Sequence, residues 1–345
     1  MHERILVFNC HEAWVYQLGL LSRPMDIVVG LTGRHTREWD SRIRPIPPKA
    51  RLVDLRHALN SDSCYGCVVA HNLTDLLDAK SLDIPKLLVL HLTLEGIVRE
   101  QNSSTDLTAF RAAVSRYIRC TGVHPVAVSP LKGSSWGLTD DIVPLSADPA
   151  DYPEFRGGDA CGLRVSNFIS RRAHTLLWDF HLRAFDGLPT KLIGDNPEIP
   201  GTQPSPDWAT LRNTFHRHRF FIHTAHPQLE DGYNMATLEA MAAGLPVLGN
   251  RHPSSPIVHG VSGFLSDDPD QLHAFAVQLL ENPKLAIEMG RAGQRTIADH
   301  FSPALFRERF SRSISLAQEV WVNSRIGKAP RPLDSGSSIL SAPRT

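Results

Sequence analysis

The chain has 345 residues, 36 Lys and Arg balanced by 36 Asp and Glu, and a hydrophobic fraction of 42%. The balanced charge excludes bulk electrostatic capture of a polyanion, so nucleic acid is not an expected partner. The length suits two domains that each bury a core, and no apolar run is long enough to span a membrane.

In chain order, short apolar runs predict strands at 5–9, 26–30, 67–71, 86–91 and 126–129, with helices at 14–21, 73–79 and 107–117 between them. The pattern restarts with strands at 163–167, 191–194, 219–224 and 246–249. This alternation is that of parallel βαβ units. A helix is predicted over 235–243, with Asn234 as its cap and Gly244 past its end. Residues 271–280 form an amphipathic helix for which Asp270 reads as the cap, in a D-D-P-D run that suits a cap better than a metal site. Ser302 and Pro303 open a last helix with apolar Phe306, Phe310, Ile314, Ala317 and Trp321, expected to end near Asn323. The Pro-, Asp- and Gly-bearing segment 148–162 is the natural junction. The expected organisation is 1–155, an N-terminal acceptor-binding domain; 156–323, a C-terminal donor-binding domain; and 324–345, a disordered tail.

Met1-His-Glu-Arg runs directly into an apolar strand rather than a secretory leader. Cys10, Cys64, Cys67, Cys120 and Cys161 are an odd number of scattered cysteines, which points to reduced thiols. Both features set the expectation of a cytoplasmic protein. The Cys64-x-x-Cys67 pair lacks a second pair at zinc-site spacing and is read as ordinary buried or edge thiols, so no metal site is expected.

The stretch 230–249, EDGYNMATLEAMAAGLPVLG, carries the most chemistry. A polar turn opens a capped helix whose first N–H groups and positive dipole end can receive phosphate oxygens. Asp231 lies ahead of the helix and Glu239 in its second turn. The bland reading is a well-capped helix with solvated acids. However, the segment resembles the signature of the retaining GT-B glycosyltransferases of family 4, the group 1 glycosyl transferases: E-x7-E followed by A-M-A-x-G-x-P. Here Asp231, beside Glu230, stands for the first acid, and Tyr233-Asn234 replaces Phe-Gly. Val165 to Arg172, VSNFISRR, is similar to the family's G-R-L-x-x-x-K, with Asn167 in place of the Arg and Arg172 in place of the Lys. Lys191-Leu-Ile-Gly-Asp195, Ile257 to Leu265 and Pro144 to Asp148 fall where related segments of the family lie, and Ser254-Ser255-Pro256 lies in the loop that would wrap the donor.

The N-terminal half departs most from the family. Its first loop, Asn9-Cys-His-Glu-Ala-Trp14, lacks the usual glycines, so His11 and Glu12 are the expected acceptor contacts. His91, at the end of KLLVLH, matches the family histidine that points into the cleft near the transferred sugar; His71 is a weaker candidate at another strand end.

The resemblance implies an α/β GT-B fold, two doubly wound Rossmann-like domains facing a cleft with the C-terminal helix crossing back to the first. It implies transfer of a sugar from a nucleotide diphosphate donor to a hydroxyl acceptor with retention, in glycan or glycoconjugate biosynthesis, without metal or other cofactor. Glu239 would bind the ribose, and Asp231 with Glu230 the donor sugar. Arg172 and the N–H groups of Asn234, Met235, Ala236 and Thr237 would receive the diphosphate, and Asn167 would lie in the same site. The acceptor is a glycan, a small molecule or a lipid-linked species reached through transient membrane contact. Two other readings stay open: a nucleotide-sugar epimerase of the same fold, and a catalytically degenerate donor-binding or partner subunit.

Overall fold

The computed structural model describes residues 4–34, 37–60, 65–101 and 103–326. Strands β1 (Arg4–Phe8), β2 (Met25–Val29), β3 (Ala50–Asp54), β4 (Tyr65–Ala70), β5 (Lys86–Leu90) and β6 (Val123–Ala127) form one sheet, ordered β3-β2-β1-β4-β5-β6. The second sheet holds β7 (Asp159–Val165), β8 (Thr190–Ile193), β9 (His218–Ile222), β10 (Val247–Gly249) and β11 (Gly263–Leu265), ordered β11-β10-β9-β7-β8. Neighbouring strands pair in parallel throughout. Strand order reverses between β1 and β4 and again between β7 and β9, and at such points the carboxyl ends of parallel strands leave a crevice for ligands.

The first sheet is served by helices α1 (Glu12–Tyr16), α2 (Leu55–Asn60), α3 (Leu73–Asp78), α4 (Leu94–Glu100), α5 (Leu107–Thr121) and α6 (Pro130–Trp136). The second has α7 (Trp178–Ala184), α8 (Trp208–Arg217), α9 (Met235–Ala242), α10 (Pro269–Glu281) and α11 (Pro283–His300). The last helix, α12 (Pro303–Ile326), returns to the first sheet. It buries Phe306, Phe310, Ile314 and Ala317 in the core that contains Ile5, Val7, Val69 and Val89. Burial of each large side chain stabilises this return by about 2 kcal/mol.

Several boundaries differ from expectation. The helix predicted over 14–21 divides into α1 and a 3-10 turn at Gln17–Leu21. The cap of α10 is Asp268, whose carboxylate accepts from the Asp270 N–H, because Pro269 at the first helical position fixes the start two residues earlier. Helix α12 reaches Ile326, past the expected end; the rest of the proposed tail lies outside the described residues, as do Met1 to Glu3 and Cys64. Cys67 and Cys161 are free thiols. Among the described residues no helix is long and apolar enough to cross a membrane.

Candidate active site

Helix α9 begins where the sequence places it. Asn234 has extended backbone, and its Oδ1 accepts from the Thr237 N–H and hydroxyl, each at 2.9 Å. That cap commits Thr237, so the expected ring of diphosphate donors narrows. Met235 and Ala236, both half-buried, are the first-turn residues whose N–H groups have no helical acceptor. The helix stops at Gly244, whose φ of 90° is costly for any residue with a Cβ.

The two acids ahead of α9 are buried and paired across the domains. Lys132 of α6 places Nζ 2.9 Å from Glu230 Oε1 and 3.0 Å from Asp231 Oδ2. Arg172 donates to Glu230 Oε2 at 2.9 Å and to Glu100, at the end of α4, at 2.8 Å. Thr93, the cap of α4, adds a hydroxyl bond of 2.7 Å to the Leu229 carbonyl. Burial would raise the Glu230 pKa, but Lys132 and Arg172 outweigh it and hold the carboxyl at about 2. Burial likewise opposes the Lys132 ammonium, and the two carboxylates overcome it, leaving the pKa above the usual lysine value. Arg172 is raised in the same way by Glu230 and Glu100 against its burial.

Asp231 is held on its other side by Ser254, whose hydroxyl donates to Oδ1 at 3.3 Å and accepts from the Gly232 N–H at 2.9 Å. His252 Nδ1 lies 3.1 Å from the same hydroxyl. His223, at the end of β9, contacts the Asp231 carbonyl at 3.2 Å, and burial with the nearby Arg164 charge lowers its pKa to about 4.

Glu239 is buried and pairs with Arg44 from the first domain. The Arg44 guanidinium also stacks on Trp208, 4.3 Å from the ring centroid. A relay from the first loop positions it. Glu12 is buried, and its Oε1 accepts from Asn9 at 3.3 Å and from the Asp40 N–H at 3.2 Å, which fixes the turn leading to Arg44. Glu12 is therefore a buttress rather than the expected acceptor contact, whereas His11 is exposed.

Asn167 is exposed, and its Oδ1 accepts from the Asp195 N–H at 2.8 Å, tying the loop after β7 to the loop after β8. Gly194 permits that approach, since a Cβ there would lie 2.0 Å from the Ser166 carbonyl. Phe168, with φ of 50°, turns the chain toward Arg172. On the first domain, His91 Nε2 lies 2.9 Å from His71 Nδ1. Burial, with the charges of His71, Lys132 and His11, pushes the His91 pKa well down, so the ring is neutral at neutral pH.

The structure thus gathers Glu230, Asp231, Arg172 and the start of α9 at one domain contact, with Glu239 in the second turn of the same helix. Lys132, Arg44 and Trp208 are contacts that sequence reasoning did not find. Lys132 had a signal: Ser129 and Pro130 form the same cap and first-position pair that announces α12, and the Ser129 hydroxyl accepts from the Lys132 N–H at 3.2 Å.

Two facing parallel sheets, a C-terminal helix that crosses back and an acidic, capped helix at the interface define the GT-B class. Residues 190–282 match the family model described as glycosyl transferases group 1. The MMP alpha-(1->4)-mannosyltransferase of Mycolicibacterium hassiacum is 32% identical over 81 residues, 22% of this chain. The match spans 20% of that relative's length. Sucrose-phosphate synthase from Thermosynechococcus elongatus superposes with a TM-score of 0.66 at 12% identity, covering 95% of this chain and 100% of that one. Anabaena HepE in complex with UDP and glucose gives a TM-score of 0.67 at 12% identity over 91% of this chain and 100% of HepE. At these identities the structural likeness establishes the fold.

Proposed function

We propose that this protein is a glycosyltransferase that moves a sugar from a nucleotide diphosphate donor to a hydroxyl acceptor with retention of the anomeric configuration. The observation that carries the reading is the convergence of Glu230, Asp231 and Arg172 at the start of α9, with Glu239 one turn further on. The UDP and glucose bound to HepE, a protein of the same fold, support a donor of that class.

Glu239 takes the ribose hydroxyls, and Asp231 with Glu230 takes hydroxyls of the donor sugar. As the bond from the anomeric carbon to the diphosphate breaks, negative charge grows on the leaving group. Arg172 and the Met235 and Ala236 N–H groups stabilise that charge, the task to which a preorganised helix start is suited. An oxocarbenium-like centre then needs no strong protein nucleophile once the acceptor is positioned. No metal enters this scheme. His91, neutral, offers a hydrogen bond to the sugar from the first domain. The Asn167 side chain organises the loop that carries Arg172.

Arg44 on Glu239 and Lys132 on Asp231 engage the carboxylates assigned to donor hydroxyls. Donor binding exchanges these ion pairs for donor contacts, so its affinity includes the cost of parting them. The biosynthetic setting is glycan or glycoconjugate assembly, with a glycan, lipid-linked or small-molecule acceptor.

A thermal-shift screen of nucleotide diphosphate sugars tests the donor class, because a ligand that binds only the folded state raises its midpoint. Nucleotide release that requires an acceptor supports transfer; donor isomerisation or release without one supports an epimerase, and tight binding without turnover a binding subunit. NMR of the product's anomeric centre tests retention, which an inverted product contradicts.

A further inference from the structure

We propose that Cys10, His71 and His91 form a binding site for a thiophilic divalent cation of the zinc class, beside the sugar position that His91 faces in the proposed transfer site. His71 and His91 immediately follow β4 and β5, and Cys10 lies two residues past β1; the three strands are consecutive in the first sheet, so parallel pairing brings the side chains together at the point where strand order reverses. The ligand atoms all lie within 4.8 Å of one another. His71 Nδ1 and His91 Nε2 are 2.9 Å apart, and Cys10 Sγ is 4.0 Å from His91 Nε2.

Zinc bonds of about 2.3 Å to sulfur and 2.0–2.1 Å to nitrogen at tetrahedral angles require ligand separations of about 3.5 Å (S to N) and 3.3 Å (N to N). Closing the Cys10–His91 separation and opening the His71–His91 separation by roughly half an ångström each reaches that geometry for these two pairs. One thiolate and two imidazoles suit zinc, and three protein ligands leave a fourth position for water. Cys10 and His91 are half-buried, each keeping some contact with solvent.

The surroundings fix the ligands. Trp14 sets its ring edge-on to both imidazoles, at 4.9 Å from each, and itself packs on Phe306 and Phe310 of α12. The Asp75 carboxylate accepts from the His71 N–H at 2.9 Å, which anchors that backbone. Burial, with the charges of Asp75 and Glu12, raises the Cys10 pKa well above the usual thiol value against the His11 N–H, so the metal must supply the drive for deprotonation. On binding, the thiol loses its proton to solvent as the metal–sulfur bond forms.

The test is a titration of the metal-stripped full chain with Co2+, followed by absorption. The expected result is one equivalent bound, with a thiolate-to-cobalt charge-transfer band that Zn2+ abolishes by displacement. Cys10→Ser loses the band and His71→Gln weakens binding, both with an unchanged circular dichroism spectrum, while Cys120→Ser retains it. Zn2+ also raises the thermal midpoint of the wild type but not of Cys10→Ser. Absence of the band in the wild type, its survival in Cys10→Ser or its loss in Cys120→Ser overturns the assignment. These readouts do not depend on sugar transfer.

Discussion

Replacing Lys132 with Met is the sharpest perturbation of the domain contact. The substitution keeps most of the side-chain volume and removes one charge that lies 2.9 Å from Glu230 and 3.0 Å from Asp231. Glu230 retains Arg172 at 2.9 Å, but Asp231, only 2% exposed, is left among the described residues with the Ser254 hydroxyl as its side-chain donor. Leaving a buried charge without its partner costs about 3–5 kcal/mol. Since Lys132 and Asp231 belong to different domains, the molecule can limit that loss by parting the domains and letting water reach Asp231. The loss is thus the smaller of the buried-charge penalty and the cost of opening. At about 2–4 °C per kcal/mol for a domain of this size, the full penalty lowers the thermal midpoint by about 6 °C or more. Calorimetry measures that fall, and small-angle scattering measures the accompanying rise in radius of gyration. Asp231→Asn in the Lys132→Met background removes the stranded charge and restores part of the loss. The reasoning is refuted if Lys132→Met changes neither midpoint nor radius, or if the second substitution restores nothing.

Asn234→Ala removes the cap of α9 and costs about 1 kcal/mol, whereas Asn234→Asp keeps an acceptor for the Thr237 N–H; thermal melts of the two variants separate capping from general disruption. Gly244→Ala forces a Cβ onto a φ of 90° and within 2.8 Å of the Phe155 Cβ, so the midpoint falls by more than the 2–4 °C that about 1 kcal/mol represents. Acid weakens the fold in two stages. His223, lowered from 6.5 to about 4, contributes stability that is present above pH 6.5 and lost as pH falls through 4. Glu230, lowered from 4.5 to about 2, contributes stability present above pH 4.5 and lost as pH falls through 2. Midpoints recorded against pH show both stages, and Glu230→Gln removes the lower one.

What could be read from the sequence was local. Asn234, Thr237 and Gly244 define α9 within ten residues, and a cap, a run of helix formers and a glycine state their meaning without any distant partner. The caps Asp268 of α10 and Asn282 of α11 carry the same kind of signal, each beside a proline at the first helical position, yet the pattern reading set the first at Asp270 and missed α11. The contacts that close the cleft were not local. Arg44 and Glu239 are 195 positions apart, and neither residue's neighbours name the other. Glu12 looked like a ligand contact because nothing in its own loop shows the Asp40 turn that buries it. Strand β3 escaped notice because it is an exposed edge, with no core-facing alternation to betray it. The family pattern located Asp231 and Glu239, but pattern alone could not reveal that both carboxylates are already paired with cations from the other domain.

The central claim, that the start of α9 and its acids form a donor site, is tested most directly by calorimetric titration of a panel of nucleotide diphosphate sugars into the wild type and Glu239→Gln. The account predicts that one donor binds the wild type and that Glu239→Gln weakens it by about tenfold or more, the loss expected for a hydrogen bond to a charged group. Binding of no donor, or equal affinity in the two proteins, contradicts it.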